Sequence, residues 1–212
     1  MALLIFDLDG TLIDSRLDLT RAVNAARAEM GRGPLPPEQI AAYVGDGAPL
    51  LIRRSLGPET PEDELRHALE FFLDYYRQHA LDATTLYPGV AESLPRLDAA
   101  GHRLAILTNK PVRISRLILD GLGIAGLFSQ VYGGNSFEHK KPHRIGIDTL
   151  RAELAADAAA TWMIGDTYVD VQTARNAGVS SCGVKWGFRP ETFAEFPPDL
   201  LIAAMSELEA VL

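Results

Sequence analysis

The chain has 212 residues, of which 47% are hydrophobic and 23% are charged, and its formal net charge is −8 at pH 7. This composition is typical of a globular domain and excludes disordered, collagen-like and fibrous classes. An acidic chain is a poor general ligand for nucleic acid or anionic membranes, so we expect neither as a partner. The single cysteine, Cys182, excludes an internal disulfide framework and a cysteine-based zinc site. No basic segment precedes the first apolar run and no run approaches the ~20 residues that span a bilayer, so we expect a cytoplasmic protein.

Short apolar runs alternate with helical patterns along most of the chain. The clearest runs cover residues 2–6, 103–107 and 161–164, and weaker ones cover 130–132, 181–186 and 199–202. Continuous apolar runs of this length are typical of parallel strands that are buried on both faces. Helical patterns lie at 88–100, 111–122 and 167–177. The alternation predicts an α/β fold, a doubly wound, Rossmann-like parallel sheet.

The segment 14–81 departs from this alternation, because it shows helical patterns only. The patterns cover residues 18–30, 36–56 and 60–78, and the second is interrupted at Gly45-Asp46-Gly47. Thr60 and the Pro-Glu-Asp that follows it form a helix-start signal. We therefore predict a core of residues 1–13 and 82–212, interrupted by a small all-helical insert at 14–81.

Polar residues follow three of the predicted strands, at the point where each strand ends. They are Asp7 and Asp9, Thr108 and Asn109, and Asp166 with Asp170. Ligands of open α/β sheets bind at the carboxyl ends of the strands, so these groups are expected to meet in one crevice, which Lys141 is also able to reach. Four carboxylates repel one another unless cations compensate them. Hard oxygen ligands of this kind select Mg²⁺, which also takes a phosphate oxygen.

This set of residues suits phosphoryl transfer. Asp7 is the expected nucleophile, which would attack phosphorus and form an aspartyl-phosphate. Asp9 lies on the same side of an extended chain and would protonate the leaving oxygen and then activate water. Thr108 and Lys141 would hold the phosphoryl oxygens as charge develops on them.

The chain resembles the haloacid dehalogenase superfamily, in its Mg²⁺-dependent phosphatase branch. The resemblance covers the whole length and rests on four motifs in the family's order: Asp7-Leu-Asp-Gly-Thr11, Thr108 after an apolar strand, Lys141-Pro142, and Gly165-Asp166-Thr-Tyr-Val-Asp170. It implies Asp7 as nucleophile and metal ligand, and Asp9 as acid/base with its carbonyl on the metal. It further implies Asp166 as the main ligand, Asp170 as support for the metal or Lys141, and Thr108, Asn109 and Lys141 as phosphate ligands.

The insert at 14–81 occupies the place of the superfamily's mobile cap. A cap of this size implies a small phosphorylated metabolite as substrate, because it restricts access to the site. Within it, Gly45, Asp46 and Gly47, together with Arg53 and Arg54, are candidates for reading the leaving group. An arginine suits a carboxylate or a second phosphate, although a solvated position is an equal alternative for each.

Four further stretches, which are less specific than the catalytic motifs, resemble those of phosphoglycolate phosphatases. They are Tyr43-Val-Gly-Asp-Gly-Ala48, Tyr87-Pro-Gly-Val90, Leu107-Thr-Asn-Lys-Pro111 and Gly133-Gly134. One departure is Arg144, where the family often has Pro, in a loop that also holds His143. The sequence leaves a sugar phosphomutase, a pyrophosphatase and a nucleotidase open, with a non-catalytic binding module as a remote alternative. No heptad repeat or isolated apolar patch indicates an oligomer.

Overall fold

The computed structural model describes residues 1–211, apart from the side chain of the last of them. Six strands form one parallel sheet in the spatial order β5-β4-β1-β6-β7-β8. They are β1 (Leu3–Phe6), β4 (Arg103–Leu107), β5 (Gln130–Tyr132), β6 (Thr161–Gly165), β7 (Ser180–Val184) and β8 (Leu200–Ile202). The predicted parallel α/β sheet is confirmed, and each predicted strand is present.

Nine α-helices lie in the part of the chain that the structure describes. They are α1 (Arg16–Glu29), α2 (Pro37–Ala41), α3 (Ala48–Leu56), α4 (Glu62–His79), α5 (Val90–Ala99), α6 (Val112–Gly121), α7 (Ile145–Glu153), α8 (Tyr168–Ala177) and α9 (Ser206–Val211). The helix predicted at 88–100 begins only at Val90, because Gly89 precedes it in a left-handed conformation (φ 82°). Pro88 therefore lies before the helix. The sequence pattern did not predict α7 or α9.

Both faces of the sheet are covered, which follows from the alternation of side chains along each strand. Leu4 and Phe6 of β1 pack into one hydrophobic core, and Leu3 and Ile5 pack into the other. The first core includes residues of α5 and α6, and the second includes residues of α7 and α8. The sheet is therefore doubly wound. Because both of its faces are covered, a ligand is able to approach it at the ends of the strands.

Helices α1 to α4 lie between two short strands, β2 (Ile13–Asp14) and β3 (Thr85–Leu86). These strands pair antiparallel, with Ile13 opposite Leu86 and Asp14 opposite Thr85. The expectation that segment 14–81 is only helical is wrong at Asp14. The pairing of two residues is too short to leave an alternating pattern in the sequence.

Asp18 of α1 connects the two ends of this helical segment. Its Oδ2 accepts hydrogen bonds from the backbone nitrogens of Ala83 and Thr84 and from the Thr84 hydroxyl, each at 2.8 Å. The Asp18 side chain is fully buried. The segment therefore leaves and re-enters the sheet at one fixed place.

Candidate active site

The carboxyl ends of three adjacent strands bring the predicted site residues together. Asp7 follows β1, Thr108 follows β4 and Asp166 follows β6, and all three line one cavity. The Asp7 amide donates to the Ile164 carbonyl at 2.9 Å, which extends the pairing of β1 with β6 to the site. The free volume of this cavity is about 40 Å³, room for only a few water molecules.

Three buried carboxylates form a tight cluster at one end of the site. Asp7, Asp166 and Asp170 each offer an oxygen, and these oxygens lie within 4.8 Å of one another. Burial raises the pKa of Asp7 to about 6, with Lys141 opposing the rise and Asp170 adding to it. Burial also raises the pKa of Asp166 well above its ordinary value, helped by the charges of Asp170 and Asp7. The negative charge of the cluster is therefore not fully balanced by the protein. Its carboxylate oxygens suit a divalent cation that prefers hard oxygen ligands.

Lys141 is the cation built into this cluster. Its Nζ lies 2.6 Å from Asp170 Oδ1 and 3.0 Å from Asp7 Oδ1. The contact with Asp7 is an ion pair without regular hydrogen-bond geometry, since Asp7 Oδ1 is buried and has no hydrogen-bond partner among the described residues. Burial alone would lower the pKa of Lys141, but Asp170 and Asp7 reverse this and raise it. Lys141 therefore keeps its charge, and Asp7 Oδ1 keeps lone pairs for another cation.

Asp170 also organises the start of α8. Its Oδ2 accepts hydrogen bonds from the backbone nitrogen and the hydroxyl of Thr167, both at 3.1 Å, while its Oδ1 holds Lys141. A carboxylate in this position satisfies backbone donors at the helix start. One side chain thus serves both the helix cap and the lysine.

Asn109, a predicted phosphate ligand, uses its side chain within the protein. Its Oδ1 accepts from the Lys141 backbone nitrogen at 2.9 Å, and its Nδ2 donates to the carbonyls of Lys141 and Gly45. The Lys141–Pro142 peptide bond that follows is cis. Asn109 therefore holds the lysine loop in place beside the strand end.

The Asp9 side chain lies apart from the cluster of three carboxylates. Its Oδ1 accepts from the Ser15 hydroxyl at 2.5 Å and from Lys110 Nζ at 2.8 Å, and its Oδ2 lies 3.0 Å from the same Nζ. Lys110 Nζ also donates to the Tyr76 hydroxyl of α4 at 2.6 Å. The sequence reading quoted Lys110 only as part of a motif and missed this network. Its position two residues after Thr108 was the available signal.

Gly10 is required by the closeness of two site loops. Its φ of +81° is in the left-handed region, and a Cβ at this position would overlap the Asp166 carboxylate. Asp166 is held from the other side by the Phe188 backbone nitrogen, which donates to its Oδ2 at 2.7 Å. The glycine of the first motif therefore allows the first and fourth motifs to touch.

The loop between α2 and α3 lies against the strand ends and closes the cavity. Val44, Gly45 and Gly47 of this loop line it, together with Ala48, the first residue of α3. The specificity role of the two glycines stays a prediction. The Asn109 side chain donates to the Gly45 carbonyl at 2.9 Å. Lys140 Nζ donates to the Asp46 carbonyl, and Arg189 donates to the Ala42 carbonyl at 3.4 Å. The core therefore holds this loop through its backbone carbonyls.

The other candidates for substrate specificity are engaged elsewhere. The Asp46 carboxylate pairs with Arg54 at 2.6 Å, and Arg53 pairs with Glu62 at 2.6 Å. None of these side chains is among the described residues that line the cavity. In the loop after Lys141, Arg144 pairs with Asp148, and the His143 ring accepts from the backbone nitrogen of Ile145. The structure therefore gives both of these residues local partners.

Residues 4–184 match the family described as haloacid dehalogenase-like hydrolase. The chain belongs to this family. The resemblance inferred from the four motifs is confirmed, and the chain is a hydrolase of the haloacid dehalogenase type. Members of this family generally use a divalent metal, which agrees with the buried carboxylate cluster.

Relatives within the haloacid dehalogenase-like family are similar over almost the whole chain. A phosphoglycolate phosphatase of Vibrio parahaemolyticus is 37% identical over 97% of this chain and 93% of its own length. One of Vibrio vulnificus is 39% identical over the same shares. The crystal structure of a predicted phosphoglycolate phosphatase from Haemophilus somnus has a TM-score of 0.95 at 30% identity, with 100% of this chain and 97% of that one covered. The similarity thus includes the helical segment as well as the sheet.

Among the described residues, no helix is long and apolar enough to cross a membrane.

Proposed function

We propose that this enzyme hydrolyses a small phosphate monoester, 2-phosphoglycolate, in a Mg²⁺-dependent reaction. The observation that carries the proposal is the meeting of Asp7, Asp166, Asp170 and Lys141 at the strand ends, next to a small cavity that Asp7, Asp9 and Asp166 line. The relatives named phosphoglycolate phosphatase support the substrate. The single buried cysteine and the absence of a membrane-crossing helix among the described residues are compatible with a cytoplasmic location, which we include in the proposal.

The residues present fit a magnesium ion. Asp7, Asp166 and Asp170 supply oxygen ligands only, and Asp7 Oδ1 has no hydrogen-bond partner among the described residues. Oxygen ligands, with room for substrate phosphate, are the surroundings that Mg²⁺ prefers. We assign Asp7, Asp166 and the Asp9 carbonyl as the main ligands, with Asp170 as support. When bound, the ion would neutralise charge on the phosphoryl oxygens and hold them next to Asp7.

Asp7 is the proposed nucleophile. Its carboxylate oxygen attacks phosphorus and displaces the leaving alcohol, so that a phosphorus–oxygen bond to Asp7 forms as the ester bond breaks. Lys141 and Thr108, which flank Asp7, stabilise the negative charge on the phosphoryl oxygens. In the second step water attacks the same phosphorus, and Asp7 leaves as a free carboxylate.

Asp9 is the proposed general acid and base. It gives a proton to the leaving oxygen in the first step and takes one from the attacking water in the second. Ser15 and Lys110 fix the carboxylate for both steps. A phosphate ester requires this proton transfer because an alkoxide is a poor leaving group.

We propose that residues 14–81 form a mobile cap over this site. The paired β2 and β3 connect it to the core, and its loop at Gly45–Gly47 closes the cavity. Because the loop lies over the strand ends, we expect it to move aside as substrate enters and product leaves. Closure then excludes water from the aspartyl-phosphate until hydrolysis.

The test is phosphate release from 2-phosphoglycolate, sugar phosphates, nucleotides, pyrophosphate and an aryl phosphate, with Mg²⁺ and with chelator. We expect a Mg²⁺-dependent preference for 2-phosphoglycolate and no turnover by Asp7→Asn. Asp120→Asn, an exposed aspartate of α6, is the matched control and should retain activity. Full activity in chelator would contradict the metal, unchanged turnover in Asp7→Asn would contradict the nucleophile, and preference for another ester would contradict the substrate.

A further inference from the structure

Lys110 is a buried lysine in the cavity that the proposed reaction has not used to bind substrate. It lies two residues after Thr108, and its side chain is 3% exposed. Among the described residues that line the cavity, it alone has a cationic side chain. We propose that Lys110 is a specificity-determining residue that binds the anionic substituent of the leaving group. This inference rests on the proposed phosphatase function, and it names Lys110 as the residue that recognises the carboxylate of the substrate.

The position of Lys110 beside Asp9 supports this assignment. Its Nζ lies 2.8 Å and 3.0 Å from the two oxygens of Asp9, which is the proposed proton donor to the leaving oxygen. The leaving oxygen must come within hydrogen-bond distance of Asp9. In 2-phosphoglycolate a single methylene group separates that oxygen from the carboxylate. The substrate carboxylate is thereby brought to the neighbourhood of the Lys110 ammonium group.

Most of the other described side chains that line the cavity are apolar and offer no second cation for the substrate carboxylate. The apolar walls are formed by the side chains of Leu19, Val44, Leu51, Phe72, Ile114 and Phe188. A carboxylate placed against such walls is strongly unfavourable unless a cation accompanies it. Gly47 and Ala48, at the start of α3, line the same cavity, and the positive end of that helix also favours an anion.

Tyr76 holds Lys110 from the side of the helical segment. Its hydroxyl accepts from Lys110 Nζ at 2.6 Å, and Nζ lies 4.4 Å from the centre of its ring. Tyr76 belongs to α4 and Lys110 belongs to the core, so this contact crosses from one to the other. Lys110 is therefore fully positioned only when α4 packs against the strand ends, and anion recognition depends on closure.

The experiment compares two esters of similar size that differ in charge, 2-phosphoglycolate and 2-hydroxyethyl phosphate. Wild type, Lys110→Met, Lys110→Arg and the exposed-lysine control Lys185→Met are measured with both. We expect Lys110→Met to lower kcat/KM about 100-fold or more for the carboxylate ester and about 10-fold or less for the neutral one. Lys110→Arg should restore part of the preference, and Lys185→Met should leave both values unchanged.

An equal loss for both esters would overturn the proposal, because it is the result expected if Lys110 only positions Asp9. The proposed phosphatase function would stand in that case, since wild type would still hydrolyse 2-phosphoglycolate. Wild type that fails to hydrolyse 2-phosphoglycolate would instead contradict the proposed function. If Lys110→Met does not fold, wild type is measured with phosphoethanolamine as a third ester. The order anionic, neutral, cationic supports the proposal, and any other order overturns it.

Discussion

Replacement of Asp18 tests the way in which the helical segment is attached. Asp18 Oδ2 accepts three hydrogen bonds of 2.8 Å from the Ala83–Thr84 connection, and the side chain is fully buried. Asp18→Ala leaves three donors without a partner, and removing one member of a buried charged network costs about 3–5 kcal/mol. Asp18→Asn keeps one acceptor oxygen but loses the charge, and we expect a loss of about 1–2 kcal/mol.

Urea unfolding and thermal melting measure this effect. For a chain of this length 1 kcal/mol corresponds to about 2–4 °C in Tm, so Asp18→Ala should melt about 6–20 °C lower. Asp120→Asn, on the exposed face of α6, is the control and should stay within about 0.5 kcal/mol of wild type. A loss below about 1 kcal/mol in Asp18→Ala would refute the reasoning, because three buried donors cannot lose their acceptor at so small a cost.

Three further predictions concern the site loop, the metal and the pH dependence of stability. Gly10→Ala should abolish phosphatase activity in the standard assay and lower Tm, because its Cβ meets the Asp166 carboxylate at a positive φ; normal activity would contradict this geometry. Mg²⁺ at about 100 times its Kd should raise the free energy of unfolding by about 2.7 kcal/mol in thermal-shift titrations. Asp166→Asn should abolish that shift. Ser181 lowers the pKa of Asp199 through its hydroxyl and backbone hydrogen bonds, so the stabilisation is present above the usual aspartate pKa and is lost as pH falls through the lowered value. Ser181→Ala should therefore have a lower urea midpoint than wild type at pH 7, with a smaller difference in strongly acidic solution. A difference that does not change with pH would show that Ser181 does not act by stabilising the ionised Asp199 carboxylate.

The sheet and the convergence of its polar strand ends were predictable because both follow from local patterns. A buried parallel strand is an uninterrupted apolar run, and the residue after it lies at the ligand-binding edge. The residues Asp7, Thr108 and Asp166 meet for this reason, although about a hundred residues separate the first two.

The polar contacts that depend on helix packing were not predictable in the same way. Tyr76 has the spacing of an ordinary core residue of α4, and nothing local indicates that its hydroxyl meets Lys110. Asp18 has the pattern of a first-turn acid, while its partners lie more than sixty residues further along. For Arg53 and Arg54 the sequence left a binding role and a solvated position equally open, because charge and position alone do not name a partner. The structure pairs them with Glu62 and Asp46, respectively.

The pairing of Ile13 with Leu86 has an evolutionary consequence. Adjacent antiparallel partners lie about 5 Å apart, so the two ends of the helical segment meet as the ends of a hairpin loop do. A tight turn of a few residues would join them equally well. The geometry of the sheet, and of the proposed site at its strand ends, therefore does not depend on the length of the segment inserted there. Substrate preference is therefore free to diverge by exchange of this single insertion while the chemistry of the strand ends is inherited unchanged.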